Sequence, residues 1–205
     1  MRDDFSLKPE AIAYRLLAPA LDMPIPVRLV CRETGLESLL AELALHRVDM
    51  VIADGPIPPG INVRGFSHVL GECGISFLAV PQLAKPLRKG FPDSLSGAPL
   101  LMPSETNLVQ AKLLEWLDRL RIYPRVVGEF DDSALMKVFG QAGTGIFIVS
   151  TPIATEVAKQ YGVQIIGSTE EVREQYYAIS VERRISHPAV SAITRTAREW
   201  LNPAS

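Results

Sequence analysis

RVVGEFDDSALMKVFGQAGTGIFIVS, residues 125–150, decides the fold class. RVVGEF (125–130) and GIFIVS (145–150) are short runs of β-branched and aromatic residues and read as strands. Between them, residues 132–142 place apolar side chains at helical spacing, with Leu135, Met136 and Phe139 expected to turn to the core. A strand, a helix and a strand in this order are the repeating unit of an α/β fold. Glu129, Asp131 and Asp132 crowd the turn between first strand and helix. One aspartate is expected to cap the helix by accepting from its free backbone N–H groups. The other is then left to meet a ligand.

The same alternation extends outward in both directions. Upstream, LLMP (100–103) reads as a strand and about 107–121 as a helix. Nearer the start come a helix over 10–21, a strand VRLVCR (27–32), a helix to about His46 and a strand MVIA (50–53). Thr34-Gly35-Leu36-Glu37 has the T-x-x-E spacing of a capping box, so Thr34 is expected at the helix start. HVLGECGISFLAV (68–80) is a long extended run broken by Gly71 and Gly74, which fits a passage between two lobes. Downstream, Thr151-Pro152 reads as a cap followed by proline at the first helical position. Strands VQIIG (163–167) and YYAISVE (176–182) follow, with polar STEEVREQ between them, and then a closing amphipathic helix with Val190, Ile193, Ala197, Trp200 and Leu201 on one face. These elements predict an α/β fold of mainly parallel sheets, in two lobes with a cleft.

Composition narrows the function classes. The chain has 205 residues, 47% hydrophobic and 21% charged, enough for real cores. Lys and Arg total 21 against 23 Asp and Glu, so these residues offer no basic face for a phosphate backbone. The charge-free stretch from Val138 to Thr155 contains glycines, a proline and hydroxyls, and is rejected as a membrane span. MRDDFSLKPE lacks the basic-then-apolar start of a signal peptide, so the expected location is the cytoplasm. Cys31 and Cys73 sit among strand-forming residues and are expected to be buried free thiols.

Signatures of catalysis are missing. His46, His68 and His187 accompany no nucleophile motif, no metal-ligand spacing occurs, and no cofactor is implied. Gly143-x-Gly145 precedes a strand where a dinucleotide motif precedes a helix, and fits a helix end with close packing. What remains are three polar strand ends. In open α/β sheets ligands bind beyond the carboxyl ends of the strands, beside helix N-termini. Here those ends are Thr34; Ser104, Glu105, Thr106 and Asn107; and Asp131, Asp132 and Ser133. Helix N-termini favour anions, whereas the carboxylates favour cations, so a cation contact is expected at Asp131 and Asp132 and no firm metal site.

Four blocks carry a family resemblance: VDMVIADGPI (48–57), GECGISF (71–77), GEFDDSALMKVFG (128–140) and ISHPAV (185–190). Over about residues 10–200 the chain resembles the effector-binding domain of LysR-type transcriptional regulators, in particular activators of sodium/proton antiporter genes that answer sodium. The resemblance implies a type 2 periplasmic-binding-protein-like fold of two Rossmann-like lobes with an interlobe cleft. It places lobe one at 1–72 plus 178–205 and lobe two at 73–177. It also implies a small-molecule or ion effector in the interlobe cleft, bound by Thr34, Ser104, Thr106, Asn107, Asp131, Asp132 and Ser133. A homodimer is expected through the first helix and the helix around Trp116, and a tetramer at full length. DNA would be bound only through an N-terminal winged helix-turn-helix that these residues lack, the family's first strand being reduced to Phe5-Ser6-Leu7. The chain then corresponds to an excised domain or a truncated relative. A free solute-binding protein on the same fold is the rival reading, with an enzyme third.

Overall fold

The computed structural model describes residues 10–24, 28–61, 63–183 and 187–201. The Phe5-Ser6-Leu7 segment lies outside them. The chain divides into two compact units, Met1–Glu72 with Gln175–Ser205, and Cys73–Glu174.

The first unit contains helices α1 (Glu10–Leu21) and α2 (Leu36–Ala44) and strand β1 (Val51–Ala53). It also holds the start of β2 (Phe66–Ala79), the end of β6 (Gln164–Ser180) and helix α7 (Pro188–Leu201). β1 pairs antiparallel with β6, Val51 opposite Ile179 and Ala53 opposite Tyr177. Leu39, Leu40 and Leu43 lie on one stripe of α2 and bury against Val51 and Ile179. α7 buries Val190, Ile193, Ala197 and Leu201, as their spacing predicts, and α1 packs beside it. The Arg15 guanidinium lies over the Trp200 ring, 5.6 Å from its centroid.

Two expectations fail here. Residues 28–35 form no strand, and both Val30 and Cys31 are exposed. Strand-forming residues become a strand only beside a neighbour that completes the ladder, and this run has none among the described residues. The capping box is also absent: Gly35 is the N-cap of α2 and no side chain caps it. Thr34 is a half-buried loop residue.

The second unit adds α3 (Pro81–Arg88), β3 (Pro99–Pro103), α4 (Leu108–Arg119), β4 (Arg125–Phe130), α5 (Ser133–Gln141), β5 (Phe147–Ser150) and α6 (Ala154–Tyr161). β3 and β4 run parallel, from Pro99 opposite Arg125 to Pro103 opposite Phe130. A parallel bridge from Leu100 to Ile146 joins β3 to the segment entering β5. β5 pairs antiparallel with β2, Ile75 opposite Ser150 and Leu78 opposite Phe147, and β2 neighbours β6. Pairing is therefore mixed where mainly parallel sheets were expected. β6 and β2 are the inner strands of a four-stranded sheet ordered β1-β6-β2-β5, with β1–β6 and β2–β5 antiparallel, and the parallel pair β3–β4 forms a second sheet. β6 runs unbroken for 17 residues, so polar STEEVREQ is strand and not a connection. Thr151-Pro152-Ile153 forms one 3-10 turn before α6, which ends at Gly162 with φ 64°.

The core of this unit is built on Phe77, Leu100, Leu113, Trp116 and Ile148. Phe77 stacks on Trp116 with ring centroids 5.8 Å apart. α5 packs more closely than its apolar spacing suggests. Met136 and Gly140 are buried, and a Cβ on Gly140 would stand 2.1 Å from Cδ1 of the fully buried Phe147. Leu135 and Phe139, expected in the core, are exposed, while Lys137 is buried with its ammonium 5.9 Å from the Tyr161 ring centroid. The helix approaches the sheet along the glycine side, so the inward stripe is Met136, Lys137 and Gly140 rather than Leu135 and Phe139.

Candidate functional site

Because β3 and β4 are parallel neighbours in register to their last residues, the turns after them open at the same edge. The Ser104 backbone N–H donates to the Phe130 carbonyl oxygen at 2.9 Å and fastens one turn to the other. Ser104 Oγ lies 2.8 Å from Thr106 Oγ1, which donates to Asp131 Oδ1 at 3.4 Å. Ser104, Thr106 and Asp131 thus come together as a polar set, with Thr106 and Asp131 exposed.

Asn107 and Asp132 have local tasks. Asn107 Oδ1 accepts from the Val109 N–H at 3.1 Å and caps α4, and Asp132 Oδ1 accepts from the Ala134 N–H at 2.7 Å and caps α5. Ser133 is the first residue of α5 and half-buried. Of the two aspartates, then, Asp132 is the cap and Asp131 is turned to Thr106. Thr34 belongs to the first unit and joins none of these contacts.

β5 ends at the same edge, since it runs parallel to β3, and brings polar residues that the sequence reading did not single out. Ser76, fully buried, donates to Thr151 Oγ1 at 3.1 Å and lies 2.7 Å from Ser168 Oγ. Ser150 donates to the Glu174 carboxylate. A serine inside the apolar run GISFLAV was the available signal, because a hydroxyl is buried there only with partners. Among the described residues no group of three or more His, Cys, Asp or Glu is placed to hold a metal ion.

Cys73 sits beside this set, and burial pushes its thiol from the ordinary 9.0 up to about 12. The Glu174 and Glu170 carboxylates add to the rise, while a hydrogen bond with Ser150 and the Arg173 charge oppose it. Reaction with a thiol reagent at mildly alkaline pH is therefore expected to titrate one cysteine per native chain, exposed Cys31, and the second only after unfolding. Two fast thiols would contradict the burial of Cys73. The folded thiol holds its proton more tightly than the unfolded one, so its contribution to stability is intact below the unfolded value. That contribution is lost as pH rises from 9.0 toward about 12.

The LysR substrate binding domain model matches residues 11–202. The chain belongs to this family. It is 38% identical over 191 residues to the transcriptional activator protein NhaR of Escherichia coli (strain K12), a match covering 91% of this chain and 62% of that protein. The chain therefore spans less than two thirds of the relative's length. Solved structures of LysR regulatory domains share the fold. The effector binding domain of QuiR in complex with shikimate superposes with TM-score 0.66 at 14% identity, covering 94% of this chain and 91% of that one. The CcmR regulatory domain of Synechocystis PCC6803 in complex with 2-PG does so with TM-score 0.65 at 14% identity, covering 95% and 93%. The LysR fold is that of the type 2 periplasmic binding proteins, as the family resemblance implies. No helix among the described residues is long and apolar enough to cross a membrane.

Proposed function

We propose that this LysR domain is the effector-sensing part of a cytoplasmic transcriptional activator that controls sodium/proton antiport or the response to sodium and alkaline stress. The match to NhaR along 91% of the chain carries the reading. The two compact units act as its lobes, and the effector binds at the turn carrying Ser104, Thr106 and Asp131, with Ser133 beside it, while Asn107 and Asp132 hold that turn as helix caps. The protein is not an enzyme in this reading. DNA is contacted by a winged helix-turn-helix outside these residues, in a dimer that assembles to a tetramer at full length.

Exposed apolar side chains support self-association. Leu135, Val138 and Phe139 stand at i, i+3 and i+4 on α5, one face of the helix. The helix around Trp116 is the one expected at the dimer contact, and since Trp116 itself is buried in the core, α4 would contribute through other residues.

Thermal unfolding in sodium, lithium and potassium chloride at matched ionic strength tests the sensing site. A ligand bound only by the native state raises stability by RT ln(1 + [L]/Kd), about 1.4 kcal/mol at tenfold excess over Kd. The melting temperature is expected to be highest in sodium, and Asp131→Asn to remove the difference. Asp132→Ala should instead lower melting equally in every salt, by about 1 kcal/mol for a lost cap. Identical melting of the unaltered chain in all three salts rules out direct sodium sensing at this turn. The regulatory reading is tested separately, by whether disrupting the gene abolishes sodium induction of an antiporter promoter reporter.

A further inference from the structure

The first unit contains a cavity of about 540 Å³, lined by Val69, Leu70, Gly71 and Glu72 of β2, Gln175 of β6 and Arg198 of α7. That volume is in the range of pockets that take small organic molecules. Its two charged walls are set by hydrogen bonds. Arg198 Nε donates to the Val69 carbonyl oxygen at 3.1 Å, which fixes where the guanidinium stands. Gln175 Nε2 donates to Glu72 Oε2 at 3.2 Å, and Tyr177 Oη donates to Gln175 Oε1 at 3.2 Å, so a relay of neutral groups orients the carboxylate. Val69, 56% exposed, supplies the apolar side chain of the lining, with fully buried Leu70 behind it.

Charge selects the ligand class. A dicarboxylate would bring its second charge against Glu72, and a diamine would meet Arg198. A molecule with one carboxylate and one ammonium on an apolar body satisfies both walls, and a guanidinium pairs with a carboxylate through two parallel hydrogen bonds. We propose that this cavity binds a small zwitterion of the α-amino-acid class, its carboxylate on Arg198, its ammonium on Glu72 and an apolar side chain along Val69. Glu72 and Arg198 both have interactions within the protein. Binding therefore exchanges partners, which makes the affinity modest. The site uses none of the residues of the turns after β3 and β4.

L-Leucine, 4-methylpentanoate and 3-methylbutylamine are the probes: the zwitterion, its carboxylate half and its amine half. In melts of the 205-residue chain, leucine is expected to raise the melting temperature by about 4 °C at tenfold excess over Kd, and the other two to leave it unchanged. Arg198→Met and Glu72→Gln should each remove the shift, while Asp131→Asn should retain it, which separates this site from the proposed sodium site. Equilibrium dialysis of radiolabelled leucine against the unaltered chain gives the answer without any variant, as one saturable site per chain. No saturable leucine binding, a shift as large with 4-methylpentanoate alone, or an undiminished shift in a folded Arg198→Met chain would each overturn the proposal.

Discussion

Gly140→Ala is expected to lower stability by about 2 kcal/mol, against the ordinary rule that alanine in a helix gains about 1 kcal/mol over glycine. The added Cβ would stand 2.1 Å from Cδ1 and 2.5 Å from Cε1 of Phe147, a fully buried ring at the head of β5. A rigid aromatic ring in a close-packed core cannot yield that distance without moving the strand or the helix, and overpacking of this kind costs about 1–3 kcal/mol. Denaturant titration reads it as a lower midpoint with the slope unchanged. Gly35→Ala is the comparison without a clash, since nothing lies within 4 Å of a Cβ there and its φ of −54° suits any residue, so it should lose only the smaller cost, under about 1 kcal/mol, of alanine at an N-cap. A stabilised Gly140→Ala chain would show that α5 stands further from the sheet than described.

Phe139→Glu is expected to convert the proposed dimer to monomer. On the proposed interface Leu135, Val138 and Phe139 meet their copies, and aromatic residues at such centres are commonly worth about 2 kcal/mol or more, about a thirtyfold change in Kd. Burying a carboxylate in place of the ring adds a desolvation cost. Phe139 is 42% exposed and meets Phe130 edge-on with centroids 5.1 Å apart, so the isolated fold loses little by the change. Analytical ultracentrifugation should find half the mass with an unchanged far-UV spectrum. An intact Phe139→Glu dimer places the interface elsewhere.

The outcome along α5 shows what local pattern can and cannot specify. RVVGEF and the start of α5 were legible because strand formers, a capping aspartate and helical spacing all act within a few residues. Which face of α5 turns inward depends on Phe147, a residue of the following strand, and on the absence of a side chain at Gly140. VRLVCR failed for the same reason in reverse: its composition suits a strand, and the pairing partner is a property of the tertiary fold. STEEVREQ misled because charged side chains on a strand's exposed face resemble a loop in sequence. Strand-end logic singled out the turns after β3 and β4, and the structure distinguishes Asp132 as cap from Asp131 beside Thr106. Ser76, Ser150 and Ser168 were invisible as a set because they lie on three different strands.

The division of the chain also orders its synthesis. Residues 73–174 form one compact unit from contiguous sequence, whereas the other unit joins 1–72 to 175–205. As the ribosome releases the chain, the early segment must wait unpaired while the inserted unit condenses, because β1 needs β6 and α1 needs α7. Domains fold as units once their residues have emerged. Limited proteolysis of arrested nascent chains should therefore protect the inserted unit first, leaving residues 36–53 open to cleavage until α7 appears. Early protection of α2 would refute that order.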